Sequence, residues 1–155
     1  MSRTEKLFRC SPEDVFRVLA DGWSYAAWVV GASRIRDVDS TWPAKDSEIH
    51  HSVGSWPLLL DDTTTVADID VPRSMTLRAR AWPFGEAEVT LQCEPAGVGM
   101  TRVTMLEHSA SGPARLLPQM LVDPVLHARN VESLRRLAYL AQRGGDDSSR
   151  PSGEE

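Results

Sequence analysis

The chain changes its hydrophobic period twice. At its start, Val15, Phe16 and Leu19 recur at helical spacing behind Ser11-Pro12-Glu13-Asp14. That tetrapeptide is a helix-start signal: a capping serine, a proline at the first helical position, and two acids for the positive end of the dipole. The pattern predicts a short helix ending near Asp21-Gly22, a second over Trp23–Val30 stopped by Gly31, and a first strand over residues 3–9. From residue 33 the period falls to two. Strands are predicted over Ser33–Asp39, Glu48–Val53, Thr63–Val71, Met75–Trp82, Glu86–Cys93 and Thr101–His108. Met75, Leu77, Ala79 and Ala81 alternate with Thr76, Arg78, Arg80 and Trp82, so one face is apolar and the other wet, as in an antiparallel sheet. The links 72–74, 83–85 and 95–99 are of hairpin size.

Gly112-Pro113 breaks this pattern. Asp123-Pro124 then reads as a cap and first helical position, with the longest helix running to Arg143, where Gly144-Gly145 stops it. Residues 144–155 lack apolar side chains and are expected to be a disordered acidic tail. The fold class this predicts is α+β: a curved antiparallel sheet of about seven strands wrapped around the long C-terminal helix, with two short helices after the first strand. Such a sheet buries its apolar face only by gripping that helix, which leaves a space between the two.

Length and charge narrow this picture. At 155 residues the chain makes one domain, placed at 1–143. The net charge of −5 argues against a nucleic-acid module. Most of that charge belongs to the tail, where Asp146, Asp147, Glu154 and Glu155 face Arg150 alone. No apolar run reaches the ~20 residues of a membrane span, and no signal-peptide core follows the N-terminus. Cys10 and Cys93 are too few for a disulfide framework, so a reduced, cytoplasmic protein is expected. Fifteen of the seventeen cations are arginine, which points to a GC-rich bacterial source.

Ser11-Pro12-Glu13-Asp14-Val15-Phe16, the Trp23–Trp28 segment, Ile35-Arg36-Asp37-Val38-Asp39 and Arg129-Asn130 through Leu134 resemble the START-like (SRPBCC) superfamily. The branch most similar is the bacterial polyketide cyclase/dehydrase and lipid-transport one, and the resemblance covers roughly residues 3–143. It implies the helix-grip fold and a hydrophobic cavity. It implies no one reaction, because aromatase/cyclases, lipid carriers, hormone receptors and hydrolases share that fold.

Candidate chemistry lies where polar residues interrupt apolar faces. Arg129, Asn130 and Ser133 fall on or beside the stripe Val122, Leu126, Leu137, Leu140 of the last helix. There they either line a cavity and bind the polar part of a ligand, or satisfy themselves by snorkelling and backbone bonding. His51 shares a strand face with Ile49 and Val53, and Glu107 one with Val103 and Met105. Together they are candidates for a general acid–base pair, or for a structural one. His50 and His51 point to opposite faces and cannot chelate one ion, so neither a metal nor a cofactor is expected. Trp42-Pro43, Trp56-Pro57 and Trp82-Pro83 each mark a strand end, either as an aromatic rim or as core caps. Trp56, Met75 and Val89 are candidate cavity walls, and Trp56 leads into an apolar loop, Pro57–Leu60. That loop is a candidate lid, membrane contact or partner surface. The expected function is binding of a small hydrophobic ligand, such as a lipid, polyketide or aromatic metabolite. The alternative is a cyclase/dehydrase-type enzyme using His51 and Glu107, and a homodimer is possible on either reading.

Overall fold

A computed structural model describes residues 1–55, 57–81, 85–111 and 119–148. Strand β1 (Ser2–Phe8) leads into helix α1 (Pro12–Ala20), a 3-10 turn (Gly22–Ser24) and helix α2 (Tyr25–Trp28). Six strands follow: β2 (Ala32–Val38), β3 (Glu48–Ser55), β4 (Leu58–Asp70), β5 (Ser74–Ala81), β6 (Gly85–Pro95) and β7 (Thr101–Ser111). Helix α3 (Gln119–Ser148) closes the order. The seven strands make one antiparallel sheet in the order β1-β7-β6-β5-β4-β3-β2, so the two earliest strands form its opposite edges. Register shifts in β2–β3 and β4–β5 bend it. Helix α3 lies along β1 and is held by α1 and α2. This is the helix-grip α+β fold expected from the sequence.

Local chemistry explains the elements. Ser11 Oγ accepts the Asp14 amide, and the Asp14 carboxylate accepts the Ser11 amide, a reciprocal cap with Pro12 next to it. The buried positions of α3, Asn130, Ser133, Leu134, Leu137, Ala138 and Ala141, recur at helical spacing. The inward face of the sheet divides lengthwise. At one end Ile49, Val66, Met75, Leu91 and Val103 pack with Phe8, Val15, Leu134 and Leu137 into a closed core. At the other end, the inward positions further along the same strands border a cavity.

Three boundaries depart from the sequence pattern. The segment Leu58–Leu60 is not a loop: it begins β4, paired with Ser55, Gly54 and Val53. Asp61 and Asp62 break the apolar alternation without breaking the strand, because Asp61 accepts Ser52 Oγ and pairs with Arg36. Helix α3 starts before Asp123, so Pro124, itself exposed, lies inside it and lacks the amide that would reach the Met120 carbonyl. The helix also continues through Gly144 and Gly145 to Ser148. Here the glycine leaves room: a Cβ on Gly144 would overlap the Arg17 guanidinium. The Arg17 guanidinium crosses that spot and donates to the Ala141 carbonyl at 3.1 Å. The remainder of the expected tail, 149–155, lies outside the described residues, as do Trp56, residues 82–84 of the expected strand end and hairpin link, and the break at Gly112-Pro113.

Candidate functional site

The cavity holds about 280 Å³ between the sheet and α3. Its walls are largely apolar: Val53, Leu77, Ala79, Ala87, Val89 and Met105 from the sheet, with Trp28 to Ala32 from the α2–β2 corner. Ala79 and Ala87 are direct cross-strand partners, and two small side chains at one place on the inner face open part of the space. Ser133 fixes the corner, its Oγ accepting the Val30 amide at 3.2 Å.

The polar groups fall into two sets. On the α3 side, Glu107 is 4% exposed and both its oxygens are engaged. Oε1 accepts Arg129 Nη2, and Oε2 accepts Asn130 Nδ2 at 2.8 Å. Adjacent residues of one helix thus hold one buried carboxylate, which satisfies the demand for partners that Arg129 and Asn130 raise on an apolar stripe. On the sheet side, Thr64 Oγ1 lies 3.0 Å from the Tyr25 hydroxyl and 2.9 Å from His51 Nε2. If each hydroxyl donates once, Tyr25 donates to Thr64 and Thr64 to Nε2, leaving the ring proton on Nδ1. Tyr25 also stacks at a tilt on His51, with centroids 5.2 Å apart, and meets Trp28 edge-on at 5.5 Å. His51 Nδ1 is buried, with no partner in hydrogen-bond geometry among the described residues. Burial pushes the imidazole down to about 4; the nearby Ser52 main chain favours the charged ring, but less strongly. Burial likewise lifts the Tyr25 phenol to about 12.

A family model described as polyketide cyclase / dehydrase and lipid transport matches residues 2–142. The chain belongs to that family. Solved structures of the same fold include a protein from Nitrosomonas europaea, 14% identical, covering 92% of this chain and 94% of that one with a TM-score of 0.70. Another, from Rhodobacter sphaeroides, is 20% identical, with 92% and 93% covered and a TM-score of 0.66. A protein of the dynemicin biosynthetic locus is 14% identical, covers 93% of this chain and 48% of its own, and has a TM-score of 0.64. No curated protein matches the sequence. Among the described residues, no helix is long and apolar enough to cross a membrane.

Of the residues singled out in the sequence, His51, Glu107, Arg129, Asn130, Ser133 and Val89 all border this one cavity. His51 and Glu107 are not bonded to one another: His51 meets Thr64, and Glu107 meets α3. Met75 does not reach the cavity but is buried in the closed core, and Leu77, two residues on, takes the wall position instead. Trp56 lies outside the described residues. Of the other tryptophans, Trp42 caps the core, its indole donating to the Leu19 carbonyl at 3.0 Å, whereas Trp23 is 61% exposed. The sequence reading missed Tyr25, Thr64 and Asp62. Thr64 shares the inward alternation of Val66 inside the predicted strand Thr63–Val71, and Asp62 continues that alternation one step before the predicted start.

Proposed function

We propose that this protein binds one small, mainly apolar molecule, of the class of a lipid, polyketide or aromatic metabolite, in the cavity between the sheet and α3. The observation that carries this reading is an apolar space of about 280 Å³ whose few polar groups sit at fixed, hydrogen-bonded positions. Apolar walls supply affinity and a few placed polar groups supply orientation. The family description supports the reading, since cyclisation, dehydration and lipid transport all require a chain or ring to be enclosed. In the acid–base alternative His51 and Glu107 would move protons. It has less support: burial lowers the proton affinity of His51 to about 4, and Arg129 and Asn130 already occupy Glu107. The reduced thiols of Cys10 and Cys93, both buried, fit a cytoplasmic setting.

Calorimetric titration with 2-methoxynaphthalene, an uncharged apolar probe, tests the reading. One molecule is expected to bind per chain. Ala87→Leu fills the space and should weaken binding by at least about tenfold, or 1.4 kcal/mol, while the melting temperature holds. Equal affinity in that variant would place the probe elsewhere and overturn the proposal.

A further inference from the structure

We infer that the ligand's polar end is a neutral hydrogen-bond donor, a hydroxyl of the alcohol or phenol type, and that Asp62 receives it. The inference rests on the binding role proposed above.

Among the described residues, four charged residues border the cavity, Asp62, Arg80, Glu107 and Arg129, with the Arg80 side chain itself exposed. Both cations already hold a carboxylate. Arg129 is bound to Glu107, and Arg80 Nε donates to Glu86 Oε1 at 3.1 Å. Among the described residues, an anionic ligand would meet no cation on this wall without a carboxylate partner. To gain Arg129 it would have to leave Glu107 buried and short of a partner, an arrangement that costs more than the new pair returns.

Asp62 differs from the other three. It is the direct cross-strand partner of His51, so the two side chains stand on the same inward face. Its Oδ1 accepts the Thr63 amide at 2.7 Å, and among the described residues its Oδ2 has no hydrogen-bond partner. Arg36 does not supply one: it donates to the main-chain carbonyl of Asp62 and pairs its charge with Asp61. Burial raises the Asp62 carboxyl above its ordinary value, as expected of an acid drawn partly out of water, with the Thr63 amide, Arg80 and Arg36 opposing. A half-buried carboxylate oxygen in an apolar wall is where a ligand O–H gains most, because a hydrogen bond to a charged acceptor is about twice as strong as a neutral one. Ethers, esters and anions bring no proton to that position.

Three probes on one bicyclic frame test this on the full chain near neutral pH: 2-naphthol, 2-methoxynaphthalene and 2-naphthoate, each titrated by calorimetry. Naphthol should bind at least about tenfold more tightly than the methyl ether, the size expected for a hydrogen bond to a charged group, and naphthoate should bind most weakly. In Asp62→Ala naphthol should lose its advantage over the ether, whose continued binding reports an intact cavity. Asp62→Asn, which keeps an acceptor but not the charge, should fall between. Naphthoate binding as tightly as naphthol, or a naphthol advantage that survives in Asp62→Ala, overturns the assignment and leaves the cavity reading standing. If none of the three binds, the binding role itself fails and this inference fails with it.

Discussion

At the scale of single residues, His51 has the largest electrostatic consequence. It is 3% exposed, and its proton affinity lies well below the ordinary imidazole value of 6.5. The folded chain therefore binds fewer protons at this site than the unfolded chain does. The resulting stability is full above pH 6.5 and is lost as pH falls through about 4. The total is at most about 3 kcal/mol, from 1.36 kcal/mol per pKa unit. Urea denaturation of the wild type and of His51→Gln across this window should show a steep loss in the first and a shallower one in the second. Parallel curves would mean that the ring is not held neutral. The inward direction of His51 was readable from Ile49 and Val53 on either side. Its partners were not, because Tyr25 and Thr64 are brought to it from separate elements, and contacts across such distances leave no local pattern.

At the scale of elements, the clasp between α1 and α3 is the clearest case of sequence and structure disagreeing. Gly144 reads as a helix stop because glycine is favoured beyond a helix end. In the fold it leaves the space that the Arg17 guanidinium occupies as it donates to the Ala141 carbonyl. Alanine is about 1 kcal/mol better than glycine inside a helix. Gly144→Ala should deliver that gain only in an Arg17→Ala background, and less of it, or none, with Arg17 present. A double-mutant cycle by chemical denaturation measures the coupling; strict additivity would show that Arg17 does not occupy the spot. The strands of the middle of the chain were legible because alternation is local, and α1 because its cap is spelled out in four residues. The ends of β4 and α3 were not, since both are set by what lies across from them: Ser52 and Arg36 for β4, Arg17 for α3.

At the scale of the whole molecule, the sheet is unequally supported. Strands β5, β6 and β7 each have a neighbour on both sides. Among the described residues, the stretch Leu58–Thr63 pairs with β3 alone, and β5 joins β4 from Thr64 onward. Leu58 is 81% exposed there. Hydrogen exchange should therefore find the amides of β6 and β7 opening only with global unfolding, and those of Leu58–Leu60 opening earlier by local fraying. Equal protection in both would show that something else covers the ribbon. Fold class and the role of the last helix were visible from the order of periods alone, whereas the cavity's charge balance required the pairing of Glu107 with Arg129 and of Arg80 with Glu86. The lengthwise division of the inward face separates two duties along the same strands. Leu91 and Val103 hold the molecule together, while Val89, Ala87 and Glu107, a few residues away, shape what it can enclose. Substitutions at the open end thus spend little of the stability stored at the closed end. The open end can therefore be reshaped, as by Ala87→Leu, while the foundation at the closed end stays unaltered.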